Sequence, residues 1–130
     1  MSSNALQAVG GALTVLGAGL FLMAWASEMF LGEPMLGGVE VSRWLAVPAH
    51  ILMLLGLVNI YLVQAGRVGV WGLVGFLLTF FGVAIFIGYV IGGWTAAIPE
   101  PTLGPIGGVL WLTGRLILAI VTWQAGVLPR

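Results

Sequence analysis

The run Gly69–Gly93, GVWGLVGFLLTFFGVAIFIGYVIGG, holds 25 residues and no charge. The hydrocarbon core of a bilayer takes about 20 residues of α-helix to cross, so this run is a transmembrane helix candidate. In lipid the backbone must satisfy its own hydrogen bonds, which restricts spanning structure to helices and closed barrels. Short alternating segments, the mark of a barrel strand, are absent from the sequence. The stretch therefore points to a helical membrane fold.

The rest of the chain agrees. Of 130 residues, 61% are apolar and 6% are charged, and mean hydropathy is +1.17. A soluble domain carries about 25% charged residues. The spacing predicts spans at about 5–26, 44–64, 69–93 and 104–128, in a single membrane domain over 1–130. The expected fold is an all-α integral membrane protein, a four-transmembrane-helix bundle. A connection over 27–43 holds Glu28, Glu33, Glu40, Pro34 and Gly37-Gly38. Residues 65–68, with Arg67, read as a tight turn, and 94–105 as a second connection with Pro99, Glu100, Pro101 and Pro105. The first 42 residues contain no Lys or Arg, so the first run reads as a retained span and not a secretory leader.

Charge sets the expected orientation. Arg67 and Arg130 fall on one side, while Glu28, Glu33, Glu40, Glu100 and Arg43 fall on the other. The positive-inside rule then predicts both termini in the cytoplasm, with the chain in the cell (inner) membrane. Trp25, Trp44, Trp71, Trp94 and Trp123 lie near predicted span ends, as interfacial anchors do. A net charge of zero lacks a nucleic-acid footprint.

The first and third spans share a pattern. Gly10, Leu13, Thr14, Gly17 and Phe21 recur at one offset as Gly75, Leu78, Thr79, Gly82 and Phe86. At helical spacing the Gly, Thr and Phe positions share a stripe roughly 60° wide. This suggests a tandem duplication of a helical hairpin. Small residues let helix backbones approach closely in lipid. Gly10, Gly17, Gly75 and Gly82, together with Gly88 and Gly92, are therefore the expected helix-packing positions, within the bundle or against partner helices.

Polar residues inside the spans are the candidate site. Arg115 falls near the midplane of the fourth span, where a cation is costly and needs compensation. Thr14, Thr79 and Asn59 lie at similar or nearby depth and are expected to form a polar layer with it. An ion pair with Glu28, a partner's acid, or an anionic headgroup are the other readings. His50 lies in the second span at a depth comparable to Glu28 and Tyr89. It reads as a structural histidine, a titrating partner of Glu28, or a single axial ligand to haem or a pigment. No second His and no Cys exist in the chain, so a bis-His haem or a zinc cluster cannot form within one copy. The metal expectation is none, and no cofactor is predicted. The acidic connection matches no calcium-loop pattern and reads as a solvated interfacial loop.

The sequence contains no Asp, Lys or Cys and no GxSxG, Walker or HExxH motif. The expectation leans away from an enzyme. Ala49–Leu57, followed by Tyr61 and Gln64, with Gly72–Phe76, resembles uncharacterised small four-span bacterial membrane proteins. That resemblance implies a bacterial four-span unit and carries no activity. The expected function is a non-enzymatic accessory or scaffold subunit, homo-oligomeric or within a membrane complex. A small oligomeric transporter or ligand-binding bundle is the alternative, and pigment or haem binding through His50 is the third.

Overall fold

A computed structural model describes residues 3–32, 34–94 and 102–126. Helix α1 spans Ser3–Leu31, strands β1 and β2 span Met35–Leu36 and Val39–Glu40, helix α2 spans Val41–Trp94, and helix α3 spans Leu103–Gln124. Three helices form where four were expected. The residues expected to turn, 65–68, stay helical, because Ala65-Gly66-Arg67-Val68 contains no proline to withdraw a backbone donor. α2 therefore runs for 54 residues, with one non-helical residue, Gly69, at φ 58° and ψ −157°.

That single residue reverses the chain. As a straight rod α2 would be about 80 Å long, and Tyr61 and Phe76 would stand about 22 Å apart. Their rings instead stack at 4.4 Å, and His50 lies 5.0 Å from Phe86. The arm before Gly69 (41–68) and the arm after it (70–94) therefore lie side by side and antiparallel. The expectation of two duplicated hairpins joined by a turn is corrected accordingly: a continuous α2 lies between α1 and α3.

Each outer helix packs on one arm. α1 lies along the first, where a Cβ at Gly17 would stand 2.8 Å from the Ala49 carbonyl oxygen. α3 lies along the second, where a Cβ at Gly82 would stand 2.8 Å from the Gly107 carbonyl oxygen. Gly10 and Gly75 make equally close approaches, to Asn59 and to Gly114. The glycine stripes are thus used inside the molecule, where backbone contact replaces the missing side chains with dispersion. Gly88 differs: it is exposed, with nothing within 4 Å of where its Cβ would be. Gly92 is half-buried.

Gln64 and Thr122 add a bond between α2 and α3, the Thr122 hydroxyl donating to Gln64 Oε1 at 3.1 Å. With Gly10 beside Asn59, this places the start of α1, the Gly69 reversal and the end of α3 at one end of the molecule. The opposite end is closed by the β1–β2 hairpin, in which Met35 pairs with Glu40 and Leu36 with Val39. Gly37 and Gly38, at φ 61° and 79°, make the two-residue turn that such a hairpin favours. A solvated interfacial loop was expected here.

Burial is inverted relative to a soluble bundle. Among the described residues the buried set includes His50, Gln64, Thr79, Ser27 and Ser42, while Val15, Leu22, Phe30, Val70 and Leu116 are exposed. Water would not tolerate so continuous an apolar exterior. All three helices are long and apolar enough to cross a membrane. Trp25, Trp44, Trp71 and Trp123 are exposed near the two ends, while the side chain of Trp94 lies outside the described residues, as do Glu33, Glu100 and Arg130.

Candidate functional site

At the hairpin end, three faces converge on a cavity of about 320 Å³. α1 contributes Phe21, Ala24, Trp25 and Glu28, whose spacing puts them on one helical face. The start of α2 contributes Ser42, Arg43 and Ala46, next to Glu40 of β2. The second arm of α2 contributes Phe86, Tyr89 and Val90, again one face. The hairpin sets the approach of the first arm, since the Val41 amide donates to Pro34 O at 2.8 Å and Trp44 Nε1 donates to Leu36 O at 3.2 Å.

The cavity's charges are unequal. Arg43 Nε donates to Glu40 Oε2 at 2.6 Å and its Nη2 to Oε1 at 3.2 Å, a two-point pair. Glu28 is exposed at the rim and forms no ion pair among the described residues. Ser42 is 2% exposed, and its hydroxyl has no hydrogen-bond partner among the described residues.

Beneath the cavity stands His50, 1% exposed. Its Nδ1 lies 2.6 Å from Ala46 O, which fixes the proton on Nδ1 and leaves Nε2 as an acceptor. Nε2 has no partner. Phe21, Phe86 and Trp111 surround the ring at centroid distances of 5.3, 5.0 and 6.1 Å. Phe21 and Phe86 also line the cavity, whereas His50 does not. The expected Glu28–His50 pairing is therefore not made. Three aromatic rings pack around His50. Among the described residues no three His, Cys, Asp or Glu side chains stand together as a metal group.

Arg115 is exposed on α3. Its guanidinium lies over Trp111, 4.6 Å from the ring centroid, and Nη2 lies 3.8 Å from Met53 Sδ. Side chains on a helix lean toward its N-terminus, so Arg115 meets Trp111 one turn back. The expected polar layer does not form around it. Thr14, Thr79 and Asn59 each donate to a carbonyl four residues back, Gly10 at 2.9 Å, Gly75 at 2.8 Å and Leu55 at 2.8 Å. In lipid the local carbonyl is the nearest acceptor, and the hydroxyls take it. No ion pair to Arg115 exists among the described residues.

Of the expected site residues, the fold thus joins Glu28 and Tyr89 at the cavity. It buries His50 below them and leaves Arg115 on the outside. Sequence reasoning missed Ser42, Trp111 and the Gln64–Thr122 bond. Trp111 and Arg115 were readable as an i,i+4 pair; Ser42 carried no signal. No family model, curated protein or solved structure matches this chain.

Proposed function

We propose that this chain is a non-enzymatic integral membrane protein, an accessory subunit that docks a partner helix on its Arg115 face. The observation that carries the reading is Arg115 itself: an exposed cation in the middle of an apolar helix, held by a ring and a sulfur but by no carboxylate among the described residues. It stands between exposed Leu112 and Leu116. A charge at that depth faces hydrocarbon unless a neighbour covers it. The chemistry that covers it is an Asp or Glu within a partner's transmembrane helix. A second copy offers no acid at that depth, because Glu28 lies in the last turn of α1 and Glu33, Glu40 and Glu100 fall outside the candidate spans. The small-residue stripes do not serve this docking, since they are used internally.

The resemblance noted above favours a bacterial inner membrane, and Arg67 at the reversal end favours a cytoplasmic position for that end. Native electrophoresis of membranes solubilised in mild detergent tests the docking. The wild-type chain is expected to migrate in an assembly larger than itself, and Arg115→Leu to migrate as the free chain. Truncating one side of a buried charge pair costs about 2–5 kcal/mol, enough to dissolve such an assembly. Arg115→Leu chain that stays helical and migrates with wild type overturns the reading. Co-expressed tagged and untagged copies are expected not to co-purify in the absence of the partner.

A further inference from the structure

We propose that the cavity at the hairpin end is a binding site for a small organic ammonium, a primary or secondary amine in its charged form. Four aromatic rings, Phe21, Trp25, Phe86 and Tyr89, form its walls. Ring faces attract an ammonium through their quadrupole, most strongly where water is displaced. Glu28 supplies a negative charge that no cation of the described residues offsets. Arg43, the one cation in the lining, is already held at two points by Glu40, so the cavity presents a net negative charge and disfavours an anion.

Ser42 narrows the class further. Ser42 lines the cavity, and its buried hydroxyl lacks a partner among the described residues. A buried hydroxyl is ordinarily hydrogen-bonded, and an ammonium N–H donating to Ser42 Oγ supplies the missing bond. A quaternary ammonium has no N–H to give and leaves that hydroxyl unmet. At about 320 Å³ the volume lies at the small end of ligand sites. Because the cavity lies at a helix end, two sources share this chemistry: a free amine from the aqueous side, and the ethanolamine headgroup of a lipid.

Calorimetry on the purified full chain in an uncharged maltoside detergent tests this, with phenethylammonium as probe. Saturable binding is expected. The uncharged analogue 2-phenylethanol is expected to bind at least about tenfold more weakly, a difference of one decade in Kd. Trimethyl substitution of the probe nitrogen is expected to weaken binding several-fold. Glu28→Gln is expected to lose about tenfold and Ser42→Ala to erase the preference for the primary over the quaternary amine. The source is read in nanodiscs. Weaker probe binding in phosphatidylethanolamine than in phosphatidylcholine, both of zero net charge, assigns the site to the headgroup, and equal binding assigns it to a free amine. Equal affinity for the ammonium and the alcohol in wild-type protein overturns the proposal, and that comparison requires no variant to fold. Unchanged affinity in a folded Glu28→Gln chain overturns it as well.

Discussion

Gly82→Leu is expected to separate α3 from the second arm of α2. A Cβ at position 82 would meet Gly107 O and the Trp111 Cα at 2.8 Å, and both are backbone atoms that no rotamer change can move. Forcing methylenes into a closed interface costs about 1–3 kcal/mol even where side chains can adjust, and here the helices themselves must part. Parting them also draws Trp111 away from His50 and the Thr122 hydroxyl from Gln64. The measurement is resistance to SDS-induced unfolding, followed by circular dichroism and by thiol cross-linking of a Gln64→Cys/Thr122→Cys pair. The chain has no native cysteine, so the cross-link is unambiguous. Gly82→Leu should abolish it and shift unfolding to lower detergent fraction. Gly88→Ala is the control. Nothing lies within 4 Å of its Cβ position, so it should keep the cross-link and gain up to about 1 kcal/mol from helix propensity.

Gly69→Val should have the next largest effect, by a different route. No steric neighbour opposes a side chain there; the backbone does. At φ 58° and ψ −157° the residue sits in a region essentially reserved for glycine, where other residues cost about 1–3 kcal/mol. A β-branched residue adds to that, because its second γ atom crowds the backbone further. If valine drives position 69 into the helical region, α2 straightens, and a rod of about 80 Å cannot be accommodated in a hydrocarbon core of about 30 Å. The expected outcome is loss of the Tyr61–Phe76 stack and a chain that aggregates or is degraded in the membrane. Gly69→Ala should be milder than Gly69→Val. Pulse-chase lifetime in membranes, with detergent unfolding of whatever survives, gives the ranking. A valine variant as long-lived and as resistant as wild type would mean that the reversal does not depend on this φ.

These two positions also mark where the sequence was and was not readable. The stripe of Gly75, Thr79 and Gly82 was legible, because small residues at helical spacing have few uses other than close approach. Its partner face was not, because Gly107 and Gly114 become complementary only once α3 is placed. The reversal was misjudged for a physical reason. A connection was expected to consume several residues, whereas one glycine in a left-handed conformation suffices and leaves 65–68 free to remain helical. Gly37-Gly38 carried a standard hairpin signal that the acidic composition around it obscured. Spacing gives a residue's height along its helix but says nothing of azimuth. His50 is buried at the centre, while Arg115 lies on the exposed side of α3 with its guanidinium turned back onto Trp111 and Met53. Thr14, Thr79 and Asn59 donate to carbonyls on their own helices, a local satisfaction that no count of polar residues reveals. The cavity needed three faces to converge, so only its separate members, Glu28 and Tyr89, could be anticipated.

The positions of the ends have a practical meaning for handling the molecule. The start of α1, the Gly69 reversal and the end of α3 share one pole, and the opening between the hairpin and the aromatic walls occupies the other. The protein is therefore vectorial. An affinity handle attached before α1 or after α3 sits at the pole opposite the cavity, and a chain tethered by that handle presents the cavity away from the support. Immobilised protein oriented in this way offers a one-sided receptor surface, on which access from each compartment can be assayed separately.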